Sequence, residues 1–264
     1  MSAPSLHPIV PVIEMTAVSV PAQHDLRCCV LEDVDWSVAP GDYWVIGAMH
    51  NSGKSDLLAV AAGLTPPQKG VCRLFGDSTL PAGEQGQRQR LRVGLVFDGG
   101  RPFHRLSVAE NVMLPWRYHH HAGESDCGDR TREILELTEL SPLADRMTGT
   151  FGRAWEKRLG LARALVLKPD VLLLDNPMGG LDGRHIHWWM SFLDQLSAGH
   201  PFLDNRPMTL IMACENLRPW RNRPHCLAVL RQKHFVSLGR FTNLTSVSEP
   251  FVRELLQEEI PAAT

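Results

Sequence analysis

The sequence lacks the features that would place a protein inside a membrane or outside the cell. No apolar run reaches the roughly 18 residues that a membrane-spanning helix needs. Residues 1–12 contain three prolines and no basic-then-apolar leader pattern. The six cysteines include no CxxC pair, and the adjacent Cys28 and Cys29 are poorly placed for a structural disulfide. We therefore expect a reduced, cytoplasmic chain that reaches a membrane only through a partner.

The chain also lacks a large excess of positive or negative charge. The chain has 27 lysines and arginines and 29 aspartates and glutamates, for a formal net charge of −2 over 264 residues. This balance gives no reason to expect nucleic acid or an anionic membrane surface as a partner, so no nucleic-acid partner is predicted. Apolar residues make up 44% of the chain, which is typical of a globular protein with a substantial core.

Short apolar segments alternate with helix-like segments along most of the chain. Residues 43–46 and 171–174 are apolar throughout, as strands buried inside a parallel sheet are. Strands that alternate with helices indicate an α/β fold with a mostly parallel central sheet. The predicted strands are 9–20, 27–38, 43–46, 93–97, 171–174 and 209–213, followed by a closing hairpin at 227–239; the predicted helices are 56–62, 107–118, 130–146, 158–165, 184–197 and 247–258, with a polar connection at 119–129.

The segment from Ala48 to Ser55 follows a predicted buried strand and precedes a predicted helix. Its spacing is that of a P-loop, in which backbone N–H groups and a lysine cradle phosphates and a hydroxyl holds Mg²⁺. Ala48 and Asn51 stand at usual glycine positions, although asparagine tolerates left-handed backbone. A glycine-rich turn with a surface lysine is the alternative. The candidate phosphate-binding residues are Ala48, Asn51, Ser52, Gly53, Lys54, Ser55 and Asp56, and the charge of Asp56 should weaken binding.

Three later segments have the order and spacing of one known family. They read RLGLARAL at 158–165, VLLLDNP at 171–177 and GLD at 180–182. With the loop at 48–55 they resemble the helix after the signature, the Walker B strand and the D-loop of the nucleotide-binding subunit of ABC transporters. The resemblance runs from residue 41 to about 256 and implies one P-loop NTPase domain over 1–264 that binds ATP with Mg²⁺. Its expected parts are a core at about 9–98 and 156–246 with an antiparallel β subdomain, an inserted helical subdomain at about 99–155 and a C-terminal helix at about 247–258.

Within this family the chain looks most similar to the ATPase of Mla/MCE-type lipid transporters. The similarity rests on residues 97–100, 107–112 and 250–256. It implies a dimer, either a homodimer or a pair with another ABC subunit, bound to an integral-membrane permease on the inner face of the cytoplasmic membrane. Residues 101–105 and 116–118 flank the region that receives the permease's coupling helix in the family. A solvated basic face is the alternative for them.

Single positions depart from the residues that drive ATP hydrolysis in the family. Asp175, the Walker B carboxylate, is present and would hold Mg²⁺ with Ser55 and Asp98. The next residue, Asn176, replaces the glutamate that polarises water, and loss of a general base costs about 10²–10⁴ in rate. Asp98 replaces the Q-loop glutamine. Glu215 replaces the switch histidine with a carboxylate that repels a γ-phosphate.

The signature, LSGGQ in the family, reads FGRAW at 151–155. Gly152, Arg153 and Ala154 are the candidate signature residues. Gly152 lacks the serine hydroxyl, and Arg153 and Trp155 add bulk where the backbone must approach a partner's nucleotide. A reach of Arg153 toward the γ-phosphate is an alternative role for its cation. The aromatic residue that stacks on adenine in the family is missing near Pro21 and Ala22. Each composite site combines one chain's loop with the other's signature, so both sites are compromised with any partner.

The sequence therefore predicts an ATP-binding transporter subunit with slow or absent hydrolysis. One alternative is a working enzyme in which Glu215 or Asp98 serves as the base. A second is a non-catalytic scaffold that stabilises or gates a permease. A third is an ABC protein that acts on the cell envelope or on division, because a fold does not fix a role.

Overall fold

The computed structural model describes residues 10–78, 84–120, 124–223 and 225–256. Within these ranges short 3-10 turns connect strands and helices. The strands are β1 (Ile13–Ala22), β2 (Asp25–Val38), β3 (Tyr43–Ala48), β4 (Lys69–Leu74), β5 (Asp77–Ser78), β6 (Val93–Val96), β7 (Val171–Asp175), β8 (Thr209–Cys214), β9 (His225–Arg231) and β10 (His234–Phe241). The helices are α1 (Lys54–Ala61), α2 (Glu84–Leu91), α3 (Val108–His120), α4 (Glu124–Leu137), α5 (Arg153–Leu165), α6 (Gly183–Ala198) and α7 (Pro250–Leu255).

Two sheets organise these elements. The central sheet has the order β10-β9-β3-β8-β7-β6, and the second has the order β2-β1-β4-β5. All neighbours in the central sheet are parallel except the β9–β10 hairpin, whereas the second sheet is antiparallel throughout. The predicted α/β fold, with a mostly parallel central sheet and a separate antiparallel one, is confirmed. The predicted hairpin at 227–239 is β9 and β10.

Side chains of β3 alternate between two hydrophobic cores. Val45 packs in the core that includes apolar residues of α3, α4, α5 and α6. Trp44 and Ile46 pack on the opposite face, in a core shared with α1, β1 and β2. Successive side chains of a strand point to opposite faces, so this alternation covers the central sheet on both sides. Both covers fix the carboxyl ends of β3, β7 and β8, where the candidate site residues lie.

The helix predicted at 130–146 has different bounds in the structure. α4 already begins at Glu124, inside the polar stretch expected to be a connection, and it ends at Leu137. Glu139 has a left-handed φ of +56°, and the Thr138 hydroxyl donates to the Ile134 carbonyl at 2.7 Å. Pro142 has no N–H to continue a helical ladder. The residues after 137 therefore form turns, including a 3-10 turn at Ser141–Leu143.

Two other helices also differ from the prediction. α5 begins at Arg153 and not at Arg158, so the last three residues of the signature segment are helical. α7 covers Pro250–Leu255, a shorter span than the predicted 247–258, whose last two residues lie outside the described part of the chain. In the ranges that the structure describes, no helix combines the length and apolar character needed to cross a membrane.

The loop after β6 is packed directly on α5. Gly100 has a φ of +69°, and a Cβ at this position would come 1.9 Å from the Glu156 carbonyl oxygen. A Cβ on Gly160 would come 2.7 Å from the Gly100 Cα. The Arg163 guanidinium donates to the carbonyls of Gly100 at 2.9 Å and Arg101 at 2.8 Å. These contacts hold the loop, and the predicted site residue at its start, against α5.

Candidate functional site

The loop at 49–53 connects β3 to α1 at the carboxyl edge of the central sheet, in the predicted order of strand, loop and helix. Asn51 and Gly53 have φ values of +57° and +87°, so the loop has left-handed backbone at both residues. Gly53 precedes α1 and offers no capping side chain, which leaves first-turn N–H groups available to an anion. Ala48 is buried at the end of β3, where it pairs with Leu230 of β9.

A cavity of about 320 Å³ opens at this loop. It brings together the predicted phosphate-loop residues with three carboxylates from other parts of the chain. Ala48 and Asn176 are not among its lining residues, and neither is the signature segment. The lining residues are His24, Val30, His50, Asn51, Ser52, Gly53, Lys54, Ser55, Asp56, Asp98, Asp175 and Glu215.

The ammonium of Lys54 is paired with a carboxylate inside this cavity. Its Nζ lies 2.6 Å from Glu215 Oε1 and 3.4 Å from the Met49 carbonyl oxygen. The lysine side chain is 8% exposed, so the pair is partly shielded from water. Nδ1 of His50 lies 3.3 Å from the same Glu215 oxygen. The carboxylate therefore lies between two nitrogen-bearing side chains of the loop.

Sheet register explains this contact. β3 and β8 are parallel neighbours, and Gly47 pairs with Cys214. Lys54 follows the first strand through the loop, and Glu215 follows the second directly, so both reach the same edge. Partial burial alone would raise the pKa of Glu215, but the hydrogen bond and charge of Lys54, with a smaller contribution from His50, hold it below its ordinary value. Glu215 is therefore ionised at neutral pH.

Asp175 forms a second polar centre in the cavity. It ends β7 and is 5% exposed, and its Oδ2 accepts a hydrogen bond from the Ser55 hydroxyl at 2.5 Å. Its Oδ1 is buried and has no hydrogen-bond partner among the described residues. Burial raises the pKa of Asp175, and the opposing effects of Ser55 and Lys54 are smaller.

This arrangement fits a hard divalent cation. A buried, unpartnered carboxylate oxygen beside a serine hydroxyl offers two oxygen ligands, and Mg²⁺ is commonly bound by one or two carboxylates together with phosphate oxygens and water. Ser55 and Asp175 would hold the ion, and Asp98 lines the same cavity. A bound Mg²⁺ would supply positive charge to phosphate oxygens. In the described ranges, no group of three or more His, Cys, Asp and Glu side chains forms a metal site by itself.

Asp98 is held by a lysine that the sequence reasoning did not identify. Nζ of Lys157, from α5, lies 2.9 Å from Asp98 Oδ1, and the lysine side chain is only 1% exposed. Partial burial would raise the pKa of Asp98, but Lys157, and to a smaller extent Asn176 and Arg153, keep it below its ordinary value. Burial lowers the pKa of Lys157 itself, and Asp98 opposes that effect.

Asn176, predicted to stand where the family has a catalytic glutamate, faces a neighbouring cavity. Its backbone has a φ of +46°, and its N–H donates to the Ala213 carbonyl at 2.7 Å. A Cβ on Gly179 would come 2.3 Å from its side-chain nitrogen. This second cavity, of about 260 Å³, includes Asn176 and the D-loop segment, and Glu215 lines both cavities. An amide at this position accepts no proton from water.

The signature segment lies apart from the phosphate cavity of its own chain. Gly152 precedes α5, and Arg153 and Ala154 form its first turn. A Cβ on Gly180 would come 2.9 Å from a terminal nitrogen of Arg153, so the guanidinium lies against the chain's own D-loop. Its charge contributes to lowering the pKa of Asp98.

Sequence reasoning also missed three features of the cavity wall. His24, in the turn between β1 and β2, lines the cavity two residues beyond the segment where an adenine-stacking aromatic residue was sought. His50 lies in the predicted phosphate loop, but the sequence suggested no role for its side chain. The Asp56 carboxylate accepts a hydrogen bond from the Gln23 N–H at 2.8 Å, so it anchors the β1–β2 turn to α1. Of these three features, only His24 could have been found from the sequence, because its imidazole is an aromatic ring close to the segment that was searched for one.

Comparisons with known proteins agree with this geometry. A sequence model of the family described as ABC transporter matches residues 31–179. The chain is 28% identical over 228 residues to the probable ribonucleotide transport ATP-binding protein mkl of Mycobacterium leprae, covering 86% of this chain and 64% of that protein. It is 35% identical over 157 residues to the sulfate/thiosulfate import ATP-binding protein CysA of Methylococcus capsulatus, covering 58% and 44%. The chain thus spans less than two thirds of the length of these curated relatives.

Solved structures show the same fold. A dimeric ATP-binding cassette, MJ0796 bound to ADP and Pi in a post-hydrolysis state, superposes with a TM-score of 0.74 at 20% identity over 87% of this chain and 98% of that one. The cbiO1 component of a Clostridium perfringens ABC transporter complex superposes with a TM-score of 0.70 at 19% identity over 94% and 91%. Because the family model matches residues 31–179, more than half of the chain, the chain belongs to the ABC transporter family.

Proposed function

We propose that this chain is the nucleotide-binding subunit of an ABC transporter of the Mla/MCE type, and that it hydrolyses ATP slowly or not at all. The observation that carries the proposal is the 2.6 Å contact between Lys54 and Glu215. The lysine that would neutralise terminal phosphates is neutralised by the protein itself. The same loop keeps a helix N-terminus open to an anion.

Nucleotide binding is supported by the oxygen ligands around the loop. Ser55 and the unpartnered Oδ1 of Asp175 are placed to hold Mg²⁺, and Lys54 lies in the same cavity. His24 offers an aromatic ring at the cavity wall for the base of a nucleotide. Gly53 and its neighbours supply backbone N–H groups to phosphates.

Impaired hydrolysis follows from the state of the candidate bases. Cleavage of the terminal phosphate needs a group that orients and deprotonates water. Asn176 is an amide. Asp98 and Glu215, the alternative bases, are each paired with a lysine that lowers the carboxyl pKa, which makes both weaker bases. We infer that neither carboxylate replaces the missing glutamate.

A membrane permease and a second ABC subunit are the proposed partners. Relatives are named as transport or import ATP-binding proteins, and a dimeric cassette has the same fold. Phe103 and Tyr118, in the two segments predicted to flank a permease helix, are 52% and 73% exposed. The complex would lie on the inner face of the cytoplasmic membrane. We infer a lipid cargo from the motifs at 97–100, 107–112 and 250–256 alone, because the relatives' names give other cargoes.

A non-catalytic scaffold is the second candidate, and the same ion pair favours it. Because Glu215 already neutralises Lys54, the loop has no uncompensated cation that only a nucleotide would satisfy. A scaffold would keep the fold and the partner surfaces and would have no nucleotide dependence.

One experiment tests both candidates. The chain is purified with the permease that accompanies it, and phosphate release and nucleotide binding are measured for the native protein, Lys54→Ala and the exposed control Lys69→Ala. We expect turnover at least about 10²-fold below a working ABC subunit assayed alongside, and binding that Lys54→Ala abolishes and Lys69→Ala retains. Fast turnover that Lys54→Ala removes would contradict impaired hydrolysis. Absence of nucleotide binding in the native complex would support the scaffold.

A further inference from the structure

The hydrogen-bonding capacity of Lys54 is largely used by the protein. A lysine ammonium has three donor hydrogens. One is directed to Glu215 at 2.6 Å, and the Met49 carbonyl lies 3.4 Å away as a second, weaker acceptor. The side chain is 8% exposed, so it has little freedom to reorient without leaving Glu215. One good donor position is left, which is enough for a single phosphate group.

Negative charge concentrates at the same end of the cavity. Lys54 shares the lining with four carboxylates. Two of them are compensated from elsewhere, Asp98 by Lys157 and Asp56 by the Gln23 N–H. Glu215 is compensated by Lys54, with His50 alongside. A further phosphate beside Lys54 would have to share its cation with a fixed carboxylate, which is electrostatically unfavourable in a partly buried site.

We propose that Glu215 makes this cavity selective for nucleoside diphosphates over nucleoside triphosphates. This inference rests on the proposed nucleotide binding and adds the ligand class. A diphosphate fills the N–H groups of the loop and the free donor of Lys54 while the ion pair stays intact. A triphosphate adds a terminal phosphoryl group that competes with the Glu215 carboxylate for Lys54 in the same cavity, so it must either break the pair or accept the repulsion.

The test measures binding heats of Mg-ADP and of Mg²⁺ with a non-hydrolysable ATP analogue on the purified chain. Glu215→Gln keeps the shape of the side chain and removes its charge. Glu249→Gln is the matched control, because Glu249 is 32% exposed against 37% for Glu215 and is also paired, with Arg231 at 3.3 Å. Thermal unfolding of each variant verifies that it is folded.

We expect the native chain to bind the diphosphate at least about tenfold more tightly than the triphosphate analogue, equivalent to about 1.4 kcal/mol. Glu215→Gln should bring the two affinities within about twofold of each other, mainly by tightening the triphosphate, and Glu249→Gln should keep the native ratio. Equal or tighter triphosphate binding by the native chain would overturn the inference, as would an unchanged ratio in Glu215→Gln. Binding of neither nucleotide by any variant would instead overturn the proposed function on which the inference rests.

Discussion

The ammonium of Lys157 lies 2.9 Å from an Asp98 carboxylate oxygen, with only 1% of the lysine side chain exposed. The same nitrogen donates to the Asn176 carbonyl at 2.5 Å. The lysine belongs to α5, whereas its partners follow β6 and β7. One buried cation therefore connects α5 to the segments that follow β6 and β7.

Removing this cation should destabilise the protein. Lys157→Met keeps most of the apolar stem but removes the ammonium. Asp98 then loses its ion pair, and the Asn176 carbonyl keeps only the Gly179 N–H, at 3.1 Å. We expect the free energy of unfolding to fall by about 1.5–3 kcal/mol, the range for losing hydrogen bonds that involve a charged group. Urea unfolding followed by circular dichroism measures the change. The exposed control Lys69→Met should stay within about 0.5 kcal/mol of the native value, and an equal loss in both variants would contradict the assignment.

Two glycine-to-alanine substitutions in helices should act in opposite directions. In α5, a Cβ on Gly160 would come 2.7 Å from the Gly100 Cα, so overpacking should cost about 1–3 kcal/mol. In α4, a Cβ on the exposed Gly128 would meet no described atom within 4 Å, and alanine should add about 0.5–1 kcal/mol by reducing backbone entropy. Thermal or urea unfolding compares the two variants. Stabilisation by Gly160→Ala would mean that α5 and the loop after β6 do not make the close contact described above.

Restoring a base should not be sufficient for hydrolysis. Asn176→Glu supplies the missing carboxylate, but Glu215 still neutralises Lys54. We expect phosphate release by Asn176→Glu to stay near the native level, and the double variant with Glu215→His to exceed it by at least about tenfold, a barrier difference of about 1.4 kcal/mol. Steady-state assays of the native chain, both single variants and the double variant test this. Full activity in Asn176→Glu alone would show that Glu215 is not limiting.

Stability should fall in mildly acidic solution because of His225. Its Nδ1 lies 2.6 Å from the Arg223 carbonyl oxygen, and its buried Nε2 has no hydrogen-bond partner among the described residues. Burial lowers the pKa of this imidazole, and the hydrogen bond to Arg223 only partly opposes the effect. In the unfolded chain the histidine pKa is about 6.5. His225 is therefore protonated at a higher pH in the unfolded chain than in the folded one.

The sign of this effect follows from proton linkage. As pH falls below about 6.5, the unfolded state gains the proton first, so the free energy of unfolding decreases by at most about 1.4 kcal/mol per pH unit from this group. Urea unfolding at pH values from about 7.5 to about 5.5, a range that spans the unfolded-state pKa, measures how the free energy of unfolding changes with pH. His225→Gln should give a flatter profile that runs parallel to the native one at the upper end of the range. Identical slopes for both proteins throughout would exclude His225 as the source.

Local patterns were sufficient to predict most of the fold. The runs at 43–46, 171–174 and 209–213 were predicted as buried strands because such strands need apolar side chains on both faces. In the structure they are neighbouring parallel strands. Helix ends were less predictable. α4 ends just before Glu139, which has a left-handed φ. Glutamate rarely adopts this conformation, so the sequence does not predict the helix end.

The order and spacing of residues were sufficient to predict that a loop at 48–55 joins a strand to a helix, and they place an amide, Asn176, directly after Asp175. Tertiary structure alone decided what those residues touch. Lys54 and Glu215 are 161 positions apart, and only the parallel pairing of β3 with β8 brings their charges within 2.6 Å. Lys157 likewise meets Asp98 only because α5 packs on the loop after β6. Charge pairing depends on distance in space, and a sequence gives distance only along the chain.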